Sequence, residues 1–328
     1  MKLAILGCGG SFGLSLARRA LAEGIEVIGI GRSPLRPACF SLEFSHSVRN
    51  FKYFNYHITH ELDYVMGVLC NEYPDVIVNF AAQGEGAASF NPEDYWRFYE
   101  TNALGCVKLV GQLERKPWLK RFIQIGTSEL YGAVEKPASE DDPIKPSSPY
   151  AASKAAFDLH LLSIFKNREF KMNIVRPSNC YAQGQQLHRI IPRTMLFGLS
   201  GKKLELHGGG RAEKSFLHAD DLSRAILLVM EKAQAGEVFN VGPDEPTSIR
   251  TVVEMCSRMI GVSFDSFVDV VGDRTGQDSR YWLDSSKIKN LGWSQKISWD
   301  DGLWRMREWI TTYKQELLES QHNFRMKA

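Results

Sequence analysis

The sequence has no long apolar run and no surplus of one charge. None of its apolar runs approaches the roughly 18 residues of a membrane-spanning helix, and glycines break the apolar N-terminus too early for a signal peptide. We therefore expect no membrane partner. Lys and Arg number 40 against 38 Asp and Glu, so the formal net charge is only +2. This balance argues against nucleic acid as a partner, although a local basic pocket for a phosphate remains compatible with it.

Cysteine is also scarce, and the six cysteines lie far apart in the sequence. None forms a CxxC or HxxxC pair that would predict a zinc site or a redox couple, so we expect no metal. Free thiols in a reducing cytoplasm are the simplest interpretation. With 328 residues, 44% of them hydrophobic, the chain is long enough to bury a sizeable core in one large domain or two ordinary ones.

Short β-branched runs alternate with helical patterns in the first half of the sequence. Apolar runs at 3–6 and 25–30 enclose a glycine-rich turn and a helical pattern at 12–21. The alternation continues with predicted strands at 75–82, 121–126 and 172–175, and predicted helices at about 91–114 and 150–166. The pattern predicts an α/β fold of the Rossmann type, with a doubly wound parallel sheet covered on both faces.

After Arg176-Pro177 the pattern becomes irregular, which predicts a smaller C-terminal lobe that binds the substrate. Strands are expected at 204–207 and 238–241, and helices at about 219–232, 248–260 and 301–316. We assign residues 1–176 to the Rossmann domain, with 216–241 returning to it. Residues 177–215 and 242–322 form the second lobe, and 323–328 form a tail. Ligands are expected outside the carboxyl ends of the strands.

The glycine-rich turn has the spacing GxxGxxG, formed by Gly7, Gly10 and Gly13. Glycine permits the tight turn and lets the backbone approach a pyrophosphate. Ser11 and Phe12 open a helix whose N-terminal N–H groups would meet that phosphate. An ordinary glycine-rich turn is the alternative, but the position between a strand and a helix favours a dinucleotide site.

The second strand indicates which dinucleotide binds. NAD-binding units usually carry Asp or Glu at its end to hold the ribose hydroxyls, whereas this strand ends in Gly31 followed by Arg32. Arg32 would pair with a 2′-phosphate or stack on the adenine. The sequence therefore predicts NADP, with NAD beside a solvent-exposed arginine as the alternative.

Tyr150 and Lys154 stand four residues apart at the start of a predicted helix, so they share one face. The ammonium group would stabilise a phenolate that takes a proton from an alcohol during hydride transfer. Thr127, Ser128 and Glu129 follow the strand at 121–126. Thr127 can hydrogen-bond a substrate oxygen and Glu129 is a candidate general base; a plain solvent-exposed turn is the alternative.

Further motifs accompany the glycine-rich turn and the Tyr150–Lys154 pair: Asn79-Phe-Ala-Ala82, Glu100-Thr-Asn102, Thr127-Ser-Glu-Leu-Tyr-Gly132, Pro146 to Lys154, Arg176-Pro-Ser-Asn179, Phe216 to Asp221, Phe239-Asn-Val-Gly242 and Asp273-Arg-Thr-Gly-Gln-Asp278. With them the chain resembles the extended short-chain dehydrogenase/reductases through nearly its whole length. The Thr-Ser-Glu triplet narrows the resemblance to the nucleotide-sugar 4,6-dehydratases. The TSELYG motif is that of the GDP-mannose members, whereas the segments around Tyr150 and Arg176 look closer to the dTDP-glucose members.

The resemblance implies an internal redox cycle on a nucleotide-diphosphate sugar. Tyr150 would take the proton of the 4-hydroxyl while C4 gives hydride to the nicotinamide, with Thr127 holding O4. Glu129 would then remove the C5 proton, water would leave from C6, and the hydride would return to C6. The product is a 4-keto-6-deoxy sugar, and the tightly bound cofactor is recycled. A homodimer through the helix from about Asn91 and the helix of Tyr150 is also implied.

The resemblance adds further site residues: Ala81, Ala82, Gln83 and Pro177 for the cofactor, and Glu85, Asn179, Arg189, His207, Lys214 and Arg274 for the substrate. The sequence departs from the family at two places. Ser128 replaces the aspartate that protonates the leaving hydroxyl in dTDP-glucose members, so Glu129 or a water would supply that proton. The loop after Ala82 lacks the family's histidine, which could mean an unusual sugar or a modified reaction.

Two alternatives stay open. The first is a sister enzyme, either a nucleotide-sugar 4-epimerase or 4-ketoreductase, or a UDP-hexuronate decarboxylase. Glu129 argues against a simple epimerase, because rotation of a 4-keto intermediate requires no C5 base. The second is a non-catalytic protein that senses the cofactor; the intact set of Thr127, Glu129, Tyr150 and Lys154 argues against it.

Overall fold

The β-branched runs of the first half lie side by side in one parallel sheet. The computed structural model describes residues 1–42, 44, 48–84, 88–168, 170–273 and 278–323. The main sheet has seven strands in the order β11-β6-β5-β4-β1-β2-β3. These are β1 (Lys2–Leu6), β2 (Glu26–Gly31), β3 (Phe51–Asn55), β4 (Val76–Asn79), β5 (Arg121–Ile125), β6 (Met172–Pro177) and β11 (Val238–Val241). The predicted Rossmann fold is thereby confirmed.

The strand order reverses at β1, and this reversal determines where a ligand is expected to bind. Strands β2 and β3 extend the sheet on one side of β1, whereas β4, β5, β6 and β11 extend it on the other. Leu6 at the end of β1 pairs with Ile30 of β2 and Asn79 of β4. The three strands therefore end at one edge, where the strand order reverses and ligands bind in sheets of this type.

Helices cover both faces of the sheet. They are α1 (Ser11–Ala22), α2 (Ala38–Ser41), α3 (Leu62–Glu72), α4 (Tyr95–Tyr99), α5 (Cys106–Leu113), α6 (Pro149–Arg168), α7 (Ile190–Leu199), α8 (Ala219–Lys232), α9 (Ile249–Ile260), α10 (Phe264–Phe267), α11 (Ser286–Asn290), α12 (Trp299–Thr312) and α13 (Lys314–Glu319). Helices α1 and α8 pack on one face around Leu16, and α3, α5 and α6 pack on the other around Phe157. Each such side chain stabilises the fold by about 1.5–3 kcal/mol.

The helix predicted at 91–114 is not continuous. A short 3-10 helix at Pro92–Asp94 precedes α4, and a π-helical segment at Glu100–Gly105 separates α4 from α5. A methyl group built on Gly105 would lie 2.5 Å from the Thr59 hydroxyl, so the backbone packs closely there. Widened turns of this kind are frequent at functional sites. This one carries Asn102 into the protein interior.

The smaller lobe is built from α7, α9 and α12 around a separate apolar core. Its strands are short: β7 (Asn179–Tyr181), β8 (Leu204–His207), β9 (Glu213–Lys214), β10 (Phe216–His218), β12 (Thr247–Ser248), β13 (Val268–Val271) and β14 (Arg280–Tyr281). The helix predicted at 301–316 is divided into α12 and α13 at Tyr313. The predicted helix at 219–232 coincides with α8.

Part of the C-terminal half returns to the main sheet. Strand β11 pairs with β6 at the sheet edge, and α8 packs on α1, in line with the placement of 216–241 in the Rossmann domain. Ile288 and Trp293, which the sequence placed in the second lobe, also lie in the core beside the sheet. The lobe boundaries themselves stay a prediction. In the part of the chain that the structure describes, no helix has the length and apolar character needed to span a membrane.

Candidate functional site

A single cleft of about 1140 Å³ opens between the strand ends and the smaller lobe. Pockets for one small ligand usually measure about 300–1,000 Å³, so this cleft has room for a dinucleotide and a second ligand. The following predicted site residues line it: Gly7, Gly10, Ser11, Phe12, Gly13, Arg32, Ala81, Ala82, Gln83, Thr127, Ser128, Glu129, Tyr150, Lys154, Pro177, Asn179, Arg189, His207 and Lys214. Glu85 and Arg274 lie outside the described residues.

The glycine turn between β1 and α1 is shaped to accept a phosphate. Gly7 has a positive φ of 75°, and a methyl group built on it would lie 2.7 Å from the amide nitrogen of Ala81. A methyl group on Gly13 would lie 2.8 Å from the carbonyl oxygen of Gly7. Gly10 is the N-cap of α1 and has no side chain with which to cap the helix. The first N–H groups of α1 can therefore meet a pyrophosphate, and the residues present fit a dinucleotide.

The end of β2 is flanked by positive side chains. The Arg32 guanidinium donates to Gln83 Oε1 at 3.1 Å, and Arg36 donates to the carbonyl of Gly184 at 2.8 Å while lying 3.7 Å from the Phe40 ring centroid. Burial lowers the pKa of Arg32, and it lowers the pKa of Arg36 to about 10, so Arg36 stays charged at neutral pH. Among the described residues that line this corner there is no Asp or Glu.

Tyr150 and Lys154 lie in the first turns of α6, directly beside the end of β5. The Ser148 hydroxyl accepts a hydrogen bond from the Ala151 N–H and so caps the start of the helix. Lys154 is buried, and its Nζ donates to the carbonyl of Ile125 at 2.7 Å. Burial lowers the pKa of Lys154, while Asp158 one turn further along α6 raises it. The lysine is thus held in one position below the tyrosine.

Asn102, which the sequence reasoning did not assign to the site, ties the Gln83 loop to α6. Its Oδ1 accepts from the Gln83 N–H at 2.7 Å, and its Nδ2 donates to the Gln83 carbonyl and to the Ser153 hydroxyl. Ser153 in turn donates to the carbonyl of Tyr150 at 2.7 Å. Because Asn102 is buried in the π-helical segment, the irregular turn positions both walls of the cleft.

Thr127 and Glu129 stand at the carboxyl end of β5. The Thr127 Oγ1 accepts from the backbone N–H of Glu129 at 3.2 Å, which orients the threonine side chain and leaves its hydroxyl proton to donate elsewhere. Ser128 is buried between them and Glu129 is half-buried. The Ser128 hydroxyl and the Glu129 carboxylate therefore lie on one short 3-10 turn, Ser128–Tyr131, and Thr127 is the N-cap of that turn.

Tyr281 on β14 faces this turn and was missed by the sequence reasoning. Burial raises the pKa of Tyr281, and the charge of Glu129 raises it further. The Tyr281 hydroxyl donates to Asp278 Oδ2 at 2.6 Å, and Ser147 donates to the same oxygen. Lys214 Nζ lies 3.3 Å from the Tyr281 ring centroid. The motif that ends at Asp278 was the one sequence signal pointing towards this residue.

The far end of the cleft is polar. Asn179 Oδ1 and Gln185 Oε1 are buried and have no hydrogen-bond partner in the described part of the structure, as is typical of groups that bind a ligand. Arg189 is the N-cap of α7, and Arg193 follows one turn later. His207 lies near the carbonyl of Gly272 at 3.3 Å. Gln185, in the loop before α7, and Arg193, on α7, were missed because neither belongs to a motif that was recognised in the sequence.

Comparison with known proteins gives consistent matches. The model of the NAD dependent epimerase/dehydratase family matches residues 3–242. A dTDP-glucose 4,6-dehydratase from Streptomyces niveus is 30% identical over 317 residues, which cover 94% of this chain and 92% of that protein. A trifunctional UDP-glucose 4,6-dehydratase/UDP-4-keto-6-deoxy-D-glucose 3,5-epimerase/UDP-4-keto-L-rhamnose-reductase from Arabidopsis thaliana is 30% identical over 83% of this chain. The chain matches only 41% of that longer protein's length.

Among solved structures, the dTDP-glucose 4,6-dehydratase of Streptomyces venezuelae with NAD bound superimposes with a TM-score of 0.87. The sequence identity is 29%, and the match covers 97% of this chain and all of that one. The similarity therefore includes both the sheet and the smaller lobe.

Proposed function

Because the chain belongs to the NAD dependent epimerase/dehydratase family, we propose that it is a nucleotide-sugar 4,6-dehydratase. It would convert a nucleoside-diphosphate hexose to the 4-keto-6-deoxy sugar. The observation that supports the proposal is that Thr127, Glu129, Tyr150 and Lys154 all line one cleft, which is large enough for cofactor and substrate. The relatives named as 4,6-dehydratases support it.

The residues of the cleft have complementary tasks in this reaction. A bound nicotinamide would supply the redox chemistry, accepting hydride from C4 and returning it to C6. Tyr150 takes the proton of the 4-hydroxyl, and the nearby charge of Lys154 stabilises the phenolate. Thr127 donates a hydrogen bond to O4. The resulting 4-ketone acidifies the C5 proton, which Glu129 removes.

The hydroxyl that leaves C6 also needs a proton. Ser128 is buried and carries no acidic group, so it does not provide that proton. Glu129 carries the proton taken from C5, and we assign it the second task of giving a proton to the departing hydroxyl. One carboxylate would then act first as base and next as acid. As hydride returns to C6, C5 would take up a proton that comes from solvent, and the proton that Tyr150 took from the 4-hydroxyl would return to solvent, so the protons balance.

We propose NADP as the cofactor. NAD is bound in related structures, but β2 of this chain ends in Gly31 where a ribose-binding acid would stand. Arg32 and Arg36 supply positive charge at the same corner of the cleft. A 2′-phosphate would be bound by such a pair through charge-assisted hydrogen bonds.

We also propose a homodimer formed through α4 and α6. Large apolar side chains are exposed on these elements and on the π-helical segment between α4 and α5: Tyr95, Trp96, Tyr99, Leu104 and Leu159. Exposed apolar groups that cluster in this way are typical of protein interfaces.

All six cysteines are unpaired thiols, which supports a reducing compartment such as the cytoplasm.

The reaction is tested by incubating the purified protein with UDP-, GDP-, dTDP- and CDP-hexoses in deuterated water. We expect deuterium at C5, a 4-keto-6-deoxy product and no net cofactor consumption. Glu129→Gln is expected to retain C4 oxidation and to lose elimination, because the amide cannot remove the C5 proton. Glu135→Gln, an exposed carboxylate nearby, is the matched control and should keep full activity.

Release of carbon dioxide, or stoichiometric oxidation of added NADPH, would refute the dehydratase assignment. Full elimination by Glu129→Gln would remove Glu129 from the mechanism. The nucleotide released from the same preparation by denaturation is identified by its mass, and recovery of NAD alone would refute the proposal of NADP.

A further inference from the structure

Three glycines near the proposed cofactor site pack against one side chain, Tyr53 of β3. They are Gly9, Gly29 and Gly31. A methyl group built on Gly31 would lie 2.5 Å from the Tyr53 hydroxyl oxygen, and one built on Gly9 would lie 2.7 Å from the same oxygen. A methyl group on Gly29 would lie 2.9 Å from the ring carbon Cδ2. Separations below 3.0 Å are closer than non-bonded carbon and oxygen atoms approach. Tyr53 therefore occupies the space that side chains at these three positions would need.

The tyrosine is held firmly in this position. Its hydroxyl donates to the carbonyl of Ser33 at 2.7 Å, immediately after Arg32. Burial raises the pKa of Tyr53, so the side chain stays a neutral hydrogen-bond donor at physiological pH. Its ring also lies against Phe51 of the same strand, with 6.3 Å between the ring centroids. If Tyr53 moved to make room for a side chain at residue 31, these contacts would be lost and the protein would be less stable.

We propose that Tyr53 is a specificity-determining residue for the cofactor. By filling the space beside Gly31 it excludes a carboxylate from the end of β2, and by its bond to Ser33 it holds the turn that presents Arg32. Discrimination between the two dinucleotides is thus set by the pair Gly31–Tyr53, and not by Arg32 alone. The inference rests on the proposed function only in that a nicotinamide dinucleotide occupies this cleft.

The contact distances separate the hydroxyl from the ring. Without the hydroxyl, the nearest Tyr53 atom to a methyl group at residue 31 is Cζ at 3.4 Å, an acceptable contact. At residue 9 the same atom is 3.6 Å away. At residue 29 the close Tyr53 atom is a ring carbon, and the Cys8 sulfur also lies 2.8 Å away. Removal of the hydroxyl therefore does not remove the steric clash at residue 29. Tyr53→Phe should therefore rescue substitutions at residues 31 and 9 but not at 29.

The test measures thermal stability of the full chain for the single variants G31A, G9A, G29A and Y53F and for each glycine substitution combined with Y53F. Each glycine substitution is expected to lower Tm by roughly 3–8 °C, the usual effect of an overpacked core position. Y53F should recover most of this loss in G31A and G9A, and little in G29A. Tyr56→Phe, a half-buried tyrosine on the neighbouring loop, is the control and should rescue none of them.

Affinities for NADP and NAD, measured by titration calorimetry, test the specificity itself. G31D alone should bind both dinucleotides poorly, because the carboxylate collides with Tyr53. G31D combined with Y53V should bind NAD at least about tenfold more tightly than G31D does, since a carboxylate can then accept hydrogen bonds from the ribose hydroxyls.

The inference is overturned if G31A is as stable as the wild type, if Y53F rescues G29A as well as G31A, or if G31D alone acquires the NAD affinity of the double variant. Failure of the proposed function has a different signature. A wild-type protein that prefers NAD would refute the NADP proposal but leave the rescue pattern intact, and a protein that binds neither dinucleotide would refute the cofactor site while G31A and Y53F still couple in stability.

Discussion

A buried ion pair lies on α6, one helical turn beyond Lys154. Arg176 donates to Asp158 Oδ2 at 3.0 Å, and the two side chains are 2% and 0% exposed. Arg176 also donates to the Tyr131 hydroxyl, and that hydroxyl in turn donates to Asn240 Oδ1. Asp158 shares its helix with Tyr150 and Lys154, so the pair connects the proposed proton-transfer residues to the end of β6. Such a pair is retained in the interior only while both partners are present.

Asp158→Asn is expected to lower the free energy of unfolding by about 3–5 kcal/mol, because Arg176 would stay buried without a counter-charge. Urea denaturation followed by circular dichroism measures the loss. Asp269→Asn is the matched control: its ion pair with Lys203 is more than half exposed on both sides, and exposed pairs contribute about 0–1 kcal/mol. Equal losses in the two variants would show that the buried pair has no special role.

Among the elements, α8 connects the Rossmann domain to the last long helix. Asp220 in its first turn accepts from the Ser15 hydroxyl of α1 at 2.9 Å and pairs with Arg305 of α12 at 2.7 Å. Burial opposes ionisation of Asp220, but His218, Ser15 and Arg305 together hold its pKa below the ordinary value. The carboxylate therefore joins three helices from distant parts of the sequence.

The stability due to Asp220 should depend on pH. Because the pKa is lower in the folded state than in the unfolded state, where Asp titrates near 3.9, the contribution is complete above about pH 5 and disappears as the pH falls through the folded-state value. The difference in Tm between wild type and Asp220→Asn should shrink as the pH falls from about 5 towards 3. All other carboxylates are shared by the two proteins, so they cancel. A constant difference down to pH 3 would contradict the prediction.

For the whole molecule, the position of the exposed aromatic side chains decides how two copies would meet. Trp96 on α4 is 55% exposed, close to Tyr99 on the same helix, and Phe98 of α4 packs inward against Tyr150. An interface on this surface would therefore stabilise the helix that packs against Tyr150, the proposed catalytic tyrosine. Trp304 on α12 is 53% exposed but lies on the smaller lobe.

Trp96→Glu is expected to convert the proposed dimer to a monomer, because it introduces a charge at the centre of an apolar interface. Light scattering coupled to size-exclusion chromatography measures the mass. Trp304→Glu, equally exposed and far from α4 and α6 in the sequence, should leave the mass unchanged. A monomeric wild type, or a dimer lost only in Trp304→Glu, would refute this interface.

Much of the architecture followed from local pattern. The run from β1 through the glycine turn to β2, and helix α8, were predicted within one or two residues, because their apolar periodicity is set by the element itself. Strand β3 was missed, since Phe51–Asn55 mixes aromatic and polar residues without alternation. The π-helical segment was missed because a widened turn has no periodic signal of its own.

The sequence by itself determined the fold class and the glycine turn, and it identified Tyr150, Lys154 and Glu129 as candidate catalytic residues, since short-range spacing and the resemblance to a family carry that information. Only the tertiary structure decided that Tyr53 packs against Gly9, Gly29 and Gly31, that Asn102 joins the two walls of the cleft, and that Tyr281 lies beside Glu129. These contacts join residues from 19 to more than 100 positions apart, and no local pattern encodes them. They arise when strands and lobes pack and side chains compete for the same space.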